Sequence, residues 1–440
     1  MRARIPATFF LFALIACTTD PNVREAPAAP GDVVVLGTTD GALVVSSSSG
    51  SILAEDAGEI AAPDGSRRYA SSTDGKSTTL ETRDPVSGEV LASTNIPGEF
   101  EAGVASISGE AVALLEPGRM STDGELAPPH RSTTIVVADP SGEGALRTFR
   151  LDGNYEPEAF SIEDRRLFLI QYLPALDPTV YRVMTLNLAS SQVRPIFGRF
   201  KTPPERMPGV RLTQVFDDAS DQLYTLYTNE PSKGYDGNWD GEGYGGAGAG
   251  GYGGGGDKGG GAAGDGASGD ARGVSFVHVL NLRDGWAYCA GLPRALWGRP
   301  ASAQAMATSP TGRELYIVDS TRGLVVEMNT NTLRIHRTAH LDLSGAGGER
   351  TSAVTSRDGE RLFIGSAMDG SAVYEIDVDS MEVVGRWTMP AAVGGLALSG
   401  DGARLYAALE DRVAVLDAST GEQLTSLSFG GASILHVATP

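Results

Sequence analysis

The chain has 440 residues, 41% of them apolar and 20% charged, with a formal net charge of −20. That apolar share suffices for a packed core and excludes a chain that is disordered throughout. The acidity, with only four lysines (Lys76, Lys201, Lys233 and Lys258), excludes nucleic acid as a partner, because neutralising phosphates requires a basic face.

In chain order, Met1-Arg2-Ala3-Arg4 is a short positive segment, and Ile5 to Ala16 is mostly apolar. Twelve residues are too few for a membrane-spanning helix, which needs about 20, and they fit the apolar region of a signal peptide. Leu14-Ile15-Ala16-Cys17 resembles a bacterial lipoprotein lipobox. The resemblance implies that residues 1–17 are a signal peptide, that Cys17 is acylated and becomes the mature N-terminus, and that the protein is exported and held on a membrane by lipid. Thr18, where an Asp would otherwise stand, resembles outer-membrane sorting if the source is Gram-negative. Residues 18–31 are polar and contain Pro21, Pro27 and Pro30. They read as an extended tether of about 40 Å, at roughly 3.1 Å per residue.

Residues 32–440 read as one repeat domain. Three copies are clearest: Thr308-Ser-Pro-Thr-Gly-Arg-Glu-Leu-Tyr, Thr355-Ser-Arg-Asp-Gly-Glu-Arg-Leu-Phe and Leu398-Ser-Gly-Asp-Gly-Ala-Arg-Leu-Tyr. In each, a Thr-Gly or Asp-Gly turn precedes a Leu-aromatic pair, and glycine supplies the positive φ of a tight hairpin. A further strand in each copy ends on Asn329, Asp377 or Asp417, whose side chains can bond the backbone of the turn that follows. Fainter copies centre on Tyr69, Ser108-Gly109, Phe168 and Tyr224. The aromatic marks at 168, 224, 316, 363 and 406 are 56, 92, 47 and 43 residues apart. Removing the 45-residue segment Asn229–Gly273 reduces 92 to 47. Four strands, A to D, on a period near 45 predict an all-β propeller.

Strand A begins near 60, 104, 159, 213, 305, 352 and 395. Residues 33–59 hold three further strands, and Ile434–Ala438 is a lone strand at the other end. One plus three completes a blade, so eight blades are expected, closed by pairing of the two ends. Seven is the alternative, if the unit around 104–157 is not a blade. The Ser-x-Asp-Gly-x-x-Leu-Tyr/Phe pattern and the Asp-terminated strand after it resemble the YVTN/YncE-like propellers, related to surface-layer and quinoprotein-like propellers. The resemblance implies the fold; those propellers often have seven blades.

Three insertions interrupt the period: Glu116–Arg131, Gln171–Thr179 and Asn229–Gly273. All lie between a B and a C strand of consecutive units, hence on one face, and insertions gathered on one face mark the binding face of a repeat protein. Candidate contact residues are His130, Tyr172, Tyr235, Trp239 and Tyr244. Residues 229–273 are dominated by glycine and read as disordered and solvated. Asp236-Gly-Asn238-Trp-Asp240-Gly matches the front half of a Ca²⁺ loop, but Ala247 stands where the bidentate Glu belongs. Asp236, Asn238 and Asp240 are therefore only weak metal candidates, and no cofactor is expected.

His336 and His340 fall in a strand, where a spacing of four does not align ligands. Cys289 reads as a buried, inert thiol. Two functions remain. The favoured one is a lipid-anchored binding scaffold, monomeric, with a protein or glycan partner. The alternative is a lactonase-like hydrolase with Glu, His, Arg and Asn converging at one channel mouth.

Overall fold

Turn chemistry cuts this chain into short strands. Ser356 Oγ donates to Asp358 Oδ1 (2.5 Å) and accepts from the Arg361 N–H (2.9 Å), while Asp358 accepts from the Glu360 N–H (3.0 Å). Gly359 sits at φ +77°, and the Ser399-Asp401-Gly402 turn repeats the pattern. Asp377 and Asp417 accept from backbone N–H groups three residues on, and Asn329 does the same toward Thr332. The Asx turns expected from the sequence are present.

The computed structural model describes residues 32–38, 41–56, 59–121, 124–201, 206–217, 219–228, 275–297, 300–343, 351–366, 371–429 and 433–438. They form eight antiparallel sheets arranged as an eight-bladed propeller. In order A to D, blade 1 is Glu59–Ala61, Arg68–Thr73, Ser77–Arg83 and Val90–Pro97. Blade 2 is Glu101–Ala105, Val112–Leu115, Ser132–Ala138 and Arg147–Asp152. Blade 3 is Asn154–Phe160, Arg166–Leu173, Val180–Asn187 and Val193–Pro195. Blade 4 is Val210–Asp217, Gln222–Thr228, Ser275–Asn281 and Trp286–Gly291, with Phe197–Gly198 added in parallel on its outer edge. Blades 5, 6 and 7 start at Gln304, Ser352 and Gly395. The unit around 104–157 is a complete blade, so the seven-blade alternative is excluded.

The core lies between blades. Each hydrophobic cluster draws on two neighbouring blades, such as Leu226 and Val277 of blade 4 with Ile317 and Val326 of blade 5. The B and C strands of blade 4 are therefore buried along their whole length. Outer strands such as Glu382–Thr388 alternate between exposed and half-buried. The repeat aromatics Tyr69, Phe168, Tyr224, Tyr316, Phe363 and Tyr406 are fully buried, each contributing about 1.5–3 kcal/mol of apolar burial. Tyr69 also donates to the Gly109 carbonyl in the next blade (3.1 Å). A Cβ on Gly109 would stand 3.0 Å from that hydroxyl, at a φ of +71°.

Blade 8 closes the ring. Its A strand is Ser433–Ala438 from the C-terminal end, and Val33–Thr38, Gly41–Ser46 and Ile52–Asp56 complete it. Val33 pairs with Ala438, Val35 with His436 and Leu36 with Ile434. Asp32, buried beside this strand, receives Arg404 Nε (3.0 Å) and the Tyr406 hydroxyl (2.7 Å) from blade 7. Pairing of the two ends within one sheet leaves no blade of the ring incomplete.

Among the described residues the only helices are short 3₁₀ turns, such as Arg294–Leu296 and Ala301–Ala303, and no helix is long and apolar enough to cross a membrane. Cys17, the signal segment, the tether and residues 229–274 lie outside the described residues. Two readings need correction. The strand before the second insertion runs on to Leu173, so that insertion is 174–179 and Tyr172 belongs to the strand. Cys289 is half-buried rather than buried, because it sits in the outermost antiparallel strand of its blade.

Candidate functional site

The insertions of blades 2 and 3 root at one end of the ring, above the inner strands of blades 3 and 4. Those inner strands are bulged. The pairing of A with B shifts at Gly103 in blade 2, Glu158 in blade 3 and Leu212 in blade 4. These are the three blades that carry insertions; blade 8 has a similar shift, and blades 5, 6 and 7 pair A with B regularly. A bulge re-aims side chains and bends its strand. Pro157 is tolerated beside it because strand A is the edge facing the channel.

At the centre stand two buried carboxylates, Glu156 and Glu158, flanking one guanidinium. Arg211 Nη1 lies 3.5 Å from Glu156 Oε1 and 4.0 Å from Glu158 Oε2. Glu156 also receives the Ser121 hydroxyl (2.9 Å), the Ser121 N–H (3.2 Å) and the Tyr172 hydroxyl (2.8 Å). Glu158 Oε1 receives Gln214 Nε2 (2.8 Å) and the Thr225 hydroxyl (3.3 Å), while its Oε2 has no hydrogen-bond partner. Burial raises the Glu158 carboxyl to about 7, against the pull of Arg211. The same burial pushes the Tyr172 and Tyr227 hydroxyls well above their ordinary value.

These contacts tie the loops down. Arg211 Nη2 donates to the Ser121 carbonyl (3.2 Å), and the Gly124 N–H donates to the Arg211 carbonyl (2.6 Å). Asn154, the first residue of blade 3, donates through Nδ2 to the carbonyls of Pro128 (2.9 Å) and Ala175 (3.2 Å). One side chain thus bonds both insertions. The His130 N–H reaches the Ala175 carbonyl as well (3.2 Å). The third insertion springs from Thr228 and Ser275, whose hydroxyls lie 3.0 Å apart.

Of the residues singled out from sequence, two fall here. His130 is buried, with Nδ1 on the Pro128 carbonyl (2.8 Å) and Nε2 on the Thr133 hydroxyl (3.0 Å). Burial holds its pKa below the ordinary value. Tyr172 is half-buried and spans Glu156 and Ser121. Tyr235, Trp239, Tyr244, Asp236, Asn238 and Asp240 lie outside the described residues. His336 and His340 are exposed on Arg334–His340, the outer strand of blade 5. Glu156, Glu158 and Arg211 were not singled out. Two acids flanking Pro157, between Tyr155 and Phe160, were the available signal.

The opposite mouth of the channel holds a recess of about 300 Å³ between the inner strands of blades 4, 5 and 6. Asp217 is the one carboxylate in its lining, which is otherwise Ser309, threonines and apolar groups. Among the described residues, no group of three His, Cys, Asp or Glu is placed to hold a metal ion.

No family model matches the chain, and no curated protein matches it. Solved propeller structures do. A dihydro-heme d1 dehydrogenase, NirN, in complex with DHE superposes with a TM-score of 0.55 at 13% identity, covering 96% of this chain and 78% of that one. Apo AztD from Citrobacter koseri gives a TM-score of 0.53 at 10% identity, covering 92% and 97%. A second Citrobacter koseri AztD structure gives 0.52 at 10%, covering 93% and 98%. At such identities the likeness is one of fold alone.

Proposed function

We propose that this chain is a lipid-anchored scaffold of the cell envelope, built from YVTN-type repeats, that binds a protein or glycan partner on the insertion-bearing face of blades 2 to 4. Acylation at Cys17 anchors it, in the outer membrane if the source is Gram-negative, and residues 18–31 hold the ring off the surface. The observation that carries the reading is the cross-tying of the first two insertions to each other and to Glu156, Arg211 and Asn154. Loops that had merely drifted in length would gain nothing from a buried polar network, which is costly to assemble unless satisfied. A rigid platform binds better because little ordering remains to be done on association. His130 and Tyr172 support that platform from beneath, and Tyr235, Trp239 and Tyr244 of the third insertion supply aromatic contacts.

The alternative, a propeller hydrolase, has one observation in its favour: Glu158, a carboxyl raised to about 7 beside a second acid and an arginine, as general acids and bases often are. Against it, Glu156 and Glu158 are both buried and most of their oxygens are engaged by neighbouring groups.

Capture from solubilised membranes separates the readings, using the intact chain, a chain lacking 229–273 and a chain with 174–179 replaced by a two-residue turn. The scaffold reading expects a partner retained by the intact chain and lost or weakened in the shortened ones. Identical partners on all three would overturn the role of this face.

A further inference from the structure

A second polar feature lies on the outer side of the ring, in the seam between blades 3 and 4. His278 in strand C of blade 4 stands directly opposite Cys289 in strand D, and side chains so paired share one face of the sheet. The His278 ring is fully buried, and neither of its nitrogens has a hydrogen-bond partner. An imidazole in that state costs about 1–3 kcal/mol for each unsatisfied buried group. Among the described residues no charged side chain shares its cavity, and an unprotonated ring nitrogen has a lone pair to donate. Met207 is brought to the same place by a reciprocal backbone pair with Tyr181, 2.8 Å each way. Its sulfur lies 3.1 Å from the Cys289 sulfur. All three side chains line one cavity of about 20 Å³, whose other walls include Val183, Ile196 and Phe197.

A cavity of that size has room for one water or one ion. Water needs two to four good polar partners, and sulfur is a poor one. A metal is the better match. Thiolate and thioether together select a soft ion, and imidazole is compatible with it. Charge narrows the choice further. No Asp or Glu lines the cavity, so a divalent ion with one thiolate would leave a net positive charge buried, whereas a monovalent ion with one thiolate is neutral. We propose that Met207, His278 and Cys289 form a site for a single Cu(I) ion, bound through the Met207 Sδ, the Cys289 Sγ and one ring nitrogen of His278. On binding, the Cys289 S–H bond breaks, its proton leaves to solvent and the Cu–S bond forms, with no change of oxidation state.

The test is anaerobic titration of the full chain carrying Cys17→Ser, so that Cys289 is its one thiol, with Cu(I) in competition with a chromophoric Cu(I) chelator. One ion should bind. Affinity should fall by about 100-fold or more for Cys289→Ser and His278→Phe, as loss of a primary ligand exceeds the usual outer-shell effects, and by about 10-fold for Met207→Leu, because a neutral thioether is a weaker donor than a thiolate. X-ray absorption at the copper edge should show both sulfur and nitrogen neighbours. Should a variant fail to fold, the unsubstituted thiol decides: Cu(I) or Ag(I) should block Cys289 from a disulfide reagent at one equivalent, and Zn(II) should not. Unchanged affinity in Cys289→Ser and His278→Phe, no protection of the thiol, or tighter binding of Zn(II) than of Cu(I) would overturn the proposal.

Discussion

Glu158 shows how one bulge sets the chemistry of a site. Regular pairing would leave no extra residue at this point in the inner strand; the bulge adds one and turns a carboxyl toward Gln214 and Thr225 in the next blade. Burial then raises it from 4.5 to about 7. A carboxyl whose folded pKa exceeds its unfolded value holds its proton more tightly when folded. Its protonated form is therefore part of the native balance at low pH, and stability is lost as pH rises between about 4.5 and about 7. The loss at pH 8 is on the order of 3 kcal/mol. Glu158→Gln keeps an acceptor for Gln214 and cannot ionise. Urea midpoints should show the variant matching the parent near pH 4.5 and exceeding it above pH 7; a gap of the same size at both pH values would contradict the assignment. None of this was legible in the sequence. Glu156, Glu158 and Arg211 are brought together from inner strands about 55 residues apart, and a bulge breaks the alternation by which a strand's inward residues are read.

At the scale of elements, the repeat was legible because its signals are local. The Asp-Gly turns, the Leu-aromatic pairs and the Asx-capped strand ends each act within a few residues. The insertions were legible as breaks in the period, but their mutual packing was not, since Asn154 joins carbonyls 47 residues apart, at 128 and 175. The short strand Phe197–Gly198 was missed for a related reason: two residues pairing in parallel with Trp286–Ala287 leave no periodic trace. Asn154→Ala removes both bonds to the insertions. Each unmade buried bond costs about 1–3 kcal/mol. Amide exchange at Gly124 and His130 should therefore accelerate by about tenfold or more, since local opening sets exchange rates. Amides of blades 5 and 6 should be unaffected. Equal acceleration around the ring would mean that Asn154 supports the whole fold and not the loops.

Over the whole molecule, closure depends on a strand from each end of the chain and on Asp32. Its carboxylate is fully buried and is met by Arg404 and Tyr406 of the preceding blade. Asp32→Ala leaves Arg404 without that partner and should cost about 3–5 kcal/mol, while Tyr406→Phe removes one bond and should cost about 1–2 kcal/mol. Thermal unfolding monitored by circular dichroism would rank them; a Tyr406→Phe change larger than Asp32→Ala would contradict the lock. The eightfold count and the joining of the ends were legible because a lone terminal strand and an incomplete first unit add up to one blade, a matter of counting turns. What such a ring carries on its faces is not a matter of period, and here it lies in three adjacent blades.

The most direct measurement is hydroxyl-radical footprinting of the chain with its membrane partner captured. Pro117, Pro129 and Leu176, which are exposed on the insertion face, should be protected, with Val90 and Val384 on outer strands unchanged. Protection confined to the outer strands, or to the mouth lined by Pro310 and Thr355, would contradict binding on that face.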